Sequence, residues 1–122
     1  MAAAGLSIRE YGGHVVAALR GELDVVDAAS VMAVLAAAVA RNPRIIVDLA
    51  ALEFIDCGAL AALGRVRAQA RQAGGDLVLA EPRGSVRRLL DLTGLIGVFS
   101  VHASVDEAVR AAGGSRLVVT AG

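Results

Sequence analysis

Aromatic side chains are almost missing from this chain: there is no tryptophan, one tyrosine and two phenylalanines in 122 residues. No set of exposed aromatic rings is therefore available for stacking on bases. Lysine is absent as well, so every one of the twelve basic residues is arginine, and twelve acids balance them to a net charge of +0. With no basic stripe in the sequence, nucleic-acid binding is not expected. The single cysteine excludes an internal disulfide and favours a reducing compartment. The longest uncharged run, Ala28 to Ala40, is well short of the roughly 20 residues that span a bilayer. The first residues, M-A-A-A-G-L-S-I-R-E, lack the basic region and apolar core of a signal peptide. No Walker sequence or G-x-G-x-x-G follows a strand, and His14 and His102 stand apart from any cluster at metal-ligand spacing. Neither a cofactor nor a metal is expected, and the chain reads as a cytoplasmic domain without membrane insertion.

What the sequence does contain is aliphatic: 57% of it is hydrophobic. A chain of this length forms one domain and can bury roughly two-thirds of its unfolded surface. Leu6–Tyr11 and His14–Leu19 read as two strands joined by a Gly12-Gly13 hairpin turn. Arg20 to Asp24 then leaves the second strand. From Asp27 to Arg41 strong helix formers place Val31, Val34, Leu35, Ala38 and Val39 at core-facing spacings, and Asn42-Pro43 stops that helix. Arg44 to Leu49 is a β-branched run suited to a strand buried on both faces. A second helix follows Asp56 to about Ala73, with Leu60, Leu63, Val66 and Ala70 inward and Arg65, Arg67 and Arg71 on the solvated side. Asp76–Ala80 is the next strand, Ser85–Thr93 a short helix closed by Gly94, and Val98–Val101 a fifth strand. Ser104-Val105-Asp106-Glu107 is a capping box opening a last helix that buries Val105, Ala108, Val109 and Ala112. The expectation is an α/β fold with a mostly parallel five-stranded sheet, an antiparallel edge strand and four helices. One domain spans 1–122 with its core at about 6–112, and Arg116–Thr120 forms a tail or an extra edge strand.

Asp56-Cys57-Gly58 is the point where small side chains and unpaired helix N–H groups meet. Asp56 is a natural N-cap. Cys57 reads by default as a small buried hydrophobe, although a helix N-terminus also favours thiolate and so redox sensing. Asp24 and Asp27 compete to cap the first helix; if Asp27 wins, Asp24 is free to face a partner. The helix from Asp27 to Arg41 shows Ala and Ser where a polar outer stripe belongs. That face is expected to be covered by a partner or by a second copy in a homodimer.

Four segments, R-I-I-V-D-L-A-A-L-E-F-I-D, G-E-L-D at 21–24, A-G-G-D-L-V-L at 73–79 and L-L-D-L-T-G-L at 89–95, together resemble the STAS domain family of bacterial anti-sigma factor antagonists. The resemblance covers roughly Leu6 to Ala112. It implies a non-enzymatic module that binds an anti-sigma factor of kinase-like ATPase fold through Asp24, Asp56, Cys57, Gly58, Ala59 and Leu60, and frees the sigma factor. It also implies that Gly58 stands where the family carries the Ser or Thr its partner phosphorylates, with Ala59 where the family has Gly. Glycine has no hydroxyl, so the phosphate switch is not expected here. A STAS subunit of a lipid-transport ATPase complex, or of a stress-signalling scaffold, is the alternative.

Overall fold

The structure, a computed structural model, describes residues 4–112. Its elements are β1 Gly5–Tyr11, β2 His14–Leu23, α1 Val25–Arg41, β3 Arg44–Ile55, α2 Cys57–Gln72, β4 Asp76–Ala80, α3 Gly84–Thr93, a 3-10 turn Leu95–Gly97, β5 Val101–His102 and a helix α4 over 105–112. Five strands form one sheet in the order β1-β2-β3-β4-β5. The β1–β2 hairpin is antiparallel, turning at Gly12 and Gly13, which both adopt positive φ, and every other pairing is parallel. The segment Arg116–Thr120 lies outside the described residues.

The central strands are buried on both faces, as their continuous apolar runs require. One face presents Ala17 and Leu19, Val47 and Leu49, Leu77 and Leu79, and packs against Leu35 of α1, Leu60, Leu63 and Val66 of α2, and Val86 and Leu90 of α3. The other presents Val16, Ile46 and Ala80, covered by Ala108 of α4 with Val105 and Val109 beside it. Ser104 Oγ accepts the Glu107 N–H at 3.1 Å, the hydroxyl half of the expected capping box. On the same side Tyr11 Oη donates to Asp106 Oδ1 at 2.5 Å, and that carboxylate raises the exposed phenol's pKa.

Three expected boundaries shift, each for a reason in the pairing. The second strand does not end at Leu19 but runs to Leu23. Gly21 takes φ 80°, and the register with β3 slips on either side of it, between Ala18 and Arg20 and between Gly21 and Glu22. Such a bulge re-phases a strand without ending it. The third strand accordingly continues past Leu49 to Ile55, because Leu52, Phe54 and Ile55 pair with the extended β2. Ala50, Ala51 and Glu53 carry little β-propensity, and cross-strand pairing overrides it. The fifth strand is only Val101–His102: Leu95–Gly97 winds a 3-10 turn, and Phe99 turns into the main core instead of joining the ladder. Val34, expected inside, is 45% exposed; Ala28 takes the inward place.

At the other end of the strands, Asp76 anchors α2. Arg67 Nε and Arg71 Nη1 each lie 3.3 Å from its carboxylate, and Leu77 N–H donates to Oδ1 at 2.8 Å. Arg67 Nε is buried without a hydrogen bond, so its contact with Asp76 is one of charge.

Candidate functional site

The extension of β2 and β3 carries two strand ends to the same edge, where Asp56 N–H donates to the Leu23 carbonyl at 3.1 Å. Asp24 and Asp56 therefore stand at adjacent helix starts. Asp56 Oδ1 accepts from Ala59 N–H at 2.8 Å, capping α2, while Oδ2 accepts from Val25 N–H at 3.0 Å, tying down the first residue of α1. One carboxylate thus satisfies an orphan donor on each of two helices. Asp24 Oδ1 accepts from Asp27 N–H at 2.9 Å, so Asp24 and not Asp27 caps α1. The helix begins two residues earlier than expected because Val25 and Val26, poor helix formers, occupy its first turn where capping decides the conformation.

Gly58 is exposed in the first turn of α2, and so is Cys57, contrary to its expected burial. Their N–H groups have no partner within the helix. A Cβ at Gly58 would come within 3.0 Å of Val25 Cγ2, 3.2 Å of Val25 Cβ and 3.6 Å of Asp56 Oδ1. Ala59 and Leu60, which the resemblance places among the contact residues, turn inward and are fully buried. The period of α2 explains this: they share its inner side with Leu63 and Val66.

Sequence reasoning missed the apolar collar of the turn. Val25 is 60% exposed, Val26 79% and Phe54 44%, all at the ends of the elements that converge here. The signal was present as two valines directly after Asp24 and a phenylalanine facing Glu22 across the ladder. From Val25 and Gly58 a groove of about 480 Å³ runs between α1 and α2, floored by Ala29, Ala33 and Ala62, with Arg65 and Gln69 at its far side. Among the described residues, no serine or threonine lines that groove. Among the described residues, no group of three or more His, Cys, Asp or Glu is disposed to hold a metal ion, and no helix is long and apolar enough to cross a membrane.

Removing the Asp56 carboxylate leaves two helix-start donors unpaired at once. Asp56→Ala is expected to cost about 2 kcal/mol, more than loss of a single cap. Chemical denaturation measures it; a loss under about 0.5 kcal/mol would mean that solvent replaces both bonds.

The STAS domain family model matches residues 6–108. The chain belongs to that family. Comparison with individual relatives agrees. The STAS domain is 33% identical over 107 residues to BtrV of Bordetella bronchiseptica, a candidate anti-sigma factor antagonist, covering 87% of this chain and 92% of that one. Its fold is similar to the crystal structure of an anti-sigma factor antagonist from Mycobacterium paratuberculosis, with a TM-score of 0.80 and 28% identity over 89% of this chain and 93% of the other. It is also similar to the anti-sigma factor antagonist SpoIIAA of Bacillus in its unphosphorylated form, with a TM-score of 0.74 and 26% identity over 90% of this chain and 97% of that one.

Proposed function

We propose that this STAS domain is an anti-sigma factor antagonist: it binds an anti-sigma factor of kinase-like ATPase fold and releases the bound sigma factor, without a phosphate switch at its binding turn. The observation that carries the reading is the exposed Gly58, set between Val25 and the Asp56 carboxylate at the start of α2. Its surroundings suit a protein partner. Val25, Val26 and Phe54 supply exposed apolar area, Asp24 and Asp56 supply charge, and the small Cys57 and Gly58 let another backbone approach closely. Asp24 keeps one carboxylate oxygen for a partner while the other caps α1. Ala59 and Leu60 support the turn from beneath.

A phosphoryl group would add about two negative charges at the turn and drive the partner off. Glycine accepts none, so binding here is constitutive or is governed from elsewhere on the molecule. The missing hydroxyl, together with the uncharged outer face of α1, also fits the alternative of a STAS subunit in a lipid-transport ATPase complex or stress-signalling scaffold.

The test is to mix the domain with a kinase-fold anti-sigma factor from the same organism, preloaded with its sigma factor, and then to add ATP. Sigma release is expected, and intact-mass spectrometry is expected to find the domain unchanged. A mass gain of one phosphate would overturn the claim about Gly58. Failure to release sigma, with a transporter ATPase co-purifying instead, would decide for the alternative.

A further inference from the structure

Away from the binding turn, a cavity of about 410 Å³ reaches from the N-terminal ends of β2, β3 and β4 across the sheet to α4. Its size lies within the range of small-ligand sites. The walls are partly apolar, from Val78, Ala108 and Ala111, and partly polar, from His14, Arg44, Asp76, Ser100 and His102. Its charged members are Arg44 and Asp76, and the Asp76 charge is offset by Arg67 and Arg71. Arg44 makes no ion pair among the described residues. Its register neighbour across the β3–β4 ladder is Asp76, the carboxylate best placed to neutralise it. That carboxylate is held toward α2 by Arg67 and Arg71 and by the Leu77 N–H. The Arg44 guanidinium instead lies beside the β1–β2 turn, where a Cβ on Gly13 would meet Nη1 at 3.4 Å. His14 is only 6% exposed, and its Nδ1 sits 3.0 Å from the Gly12 carbonyl oxygen. A carbonyl can only accept, so Nδ1 donates in this contact.

We propose that this cavity is a second binding site, for a small metabolite with a compact oxyanion on an apolar body. Arg44 takes the oxyanion, the Ser100 and His102 side of the cavity supplies further polar contact, and Val78, Ala108 and Ala111 hold the body. A half-buried guanidinium without a carboxylate partner has lost hydration, and a bound anion restores a charge-assisted bond. Phosphate and carboxylate share this chemistry. The site is separate from the turn at Asp56 and does not rest on the proposed antagonist function.

The test titrates the full isotope-labelled chain with phenyl phosphate, benzoate and benzyl alcohol, following amide shifts by NMR. Both anions, or one of them, are expected to bind with shifts centred on Arg44, Val78, His102 and Ala108, while the neutral alcohol leaves them unmoved. The tighter anion then identifies the head group. Arg44→Gln is expected to weaken binding about tenfold, whereas Arg88→Gln, the same charge loss on the exposed side of α3, leaves it unchanged. His102→Gln is expected to weaken it several-fold, and serves if Arg44→Gln does not fold. The proposal is overturned if neither anion binds at millimolar concentration, if benzyl alcohol binds equally well, or if folded Arg44→Gln binds like the parent.

Discussion

Gly58→Asp is expected to keep the fold and lose the partner. The new carboxylate stands at the first turn of α2, where the helix dipole favours negative charge. Its Cβ presses on Val25, whose side chain is exposed and free to rotate away. The nearby Asp56 carboxylate opposes the dipole term, so stability is expected to change by no more than about 1 kcal/mol. Affinity for the anti-sigma factor is expected to fall about 100-fold, because an uncompensated charge is forced into a desolvated contact. Gly58→Ala carries the same steric change without the charge and is expected to bind within about threefold of the parent, a difference under about 1 kcal/mol. Calorimetric titration of the two variants separates charge from bulk. Full binding by folded Gly58→Asp would place the partner's footprint somewhere else.

Gly75→Ala is expected to be among the most destabilising single-methyl additions in the chain. The added carbon would sit 2.2 Å from the Pro43 carbonyl oxygen and 2.5 Å from its carbon, both of them backbone atoms. No rotamer relieves that overlap; the α1–β3 connection itself must move. The same Pro43 oxygen accepts from Asp76 N–H at 3.0 Å, so the displacement also pulls on the bond that starts β4. A cost of about 3 kcal/mol follows from such overpacking, equivalent to a drop of about 10 °C in Tm for a domain of this size. Gly97→Ala is the control, since a Cβ there meets nothing within 4 Å. It is expected to fall within about 0.5 kcal/mol of the parent. Equal melting of the two variants would show that the Pro43–Gly75 contact relaxes without penalty.

These two glycines mark the boundary between what could be read and what could not. In the sequence Gly75 stands out only within A-G-G-D-L-V-L at 73–79; that its Cα faces a carbonyl from a residue far back in the chain is a fact of packing. The strand Asp76–Ala80, the N-cap at Asp56 and the inner stripe Leu60, Leu63, Val66 and Ala70 were legible because they rest on local rules: turn residues, capping chemistry and the 3.6-residue period. The ends of β2 and β3 were not. Their last residues have weak β-propensity and become strands only by pairing with each other around the bulge at Gly21. The same pairing sets Asp24 beside Asp56, exposes Val25, Val26 and Phe54 around the turn, and buries Ala59 and Leu60.

By itself, then, the sequence determined the order of elements, the parallel sheet and the absence of a hydroxyl at residue 58, since these depend on residue type and short-range spacing. Only the tertiary structure decided which side chains ring the turn, which acid caps α1, and that Arg44 makes no ion pair among the described residues. Those outcomes depend on contacts between segments tens of residues apart, and no local pattern encodes which of two competing partners a side chain will reach.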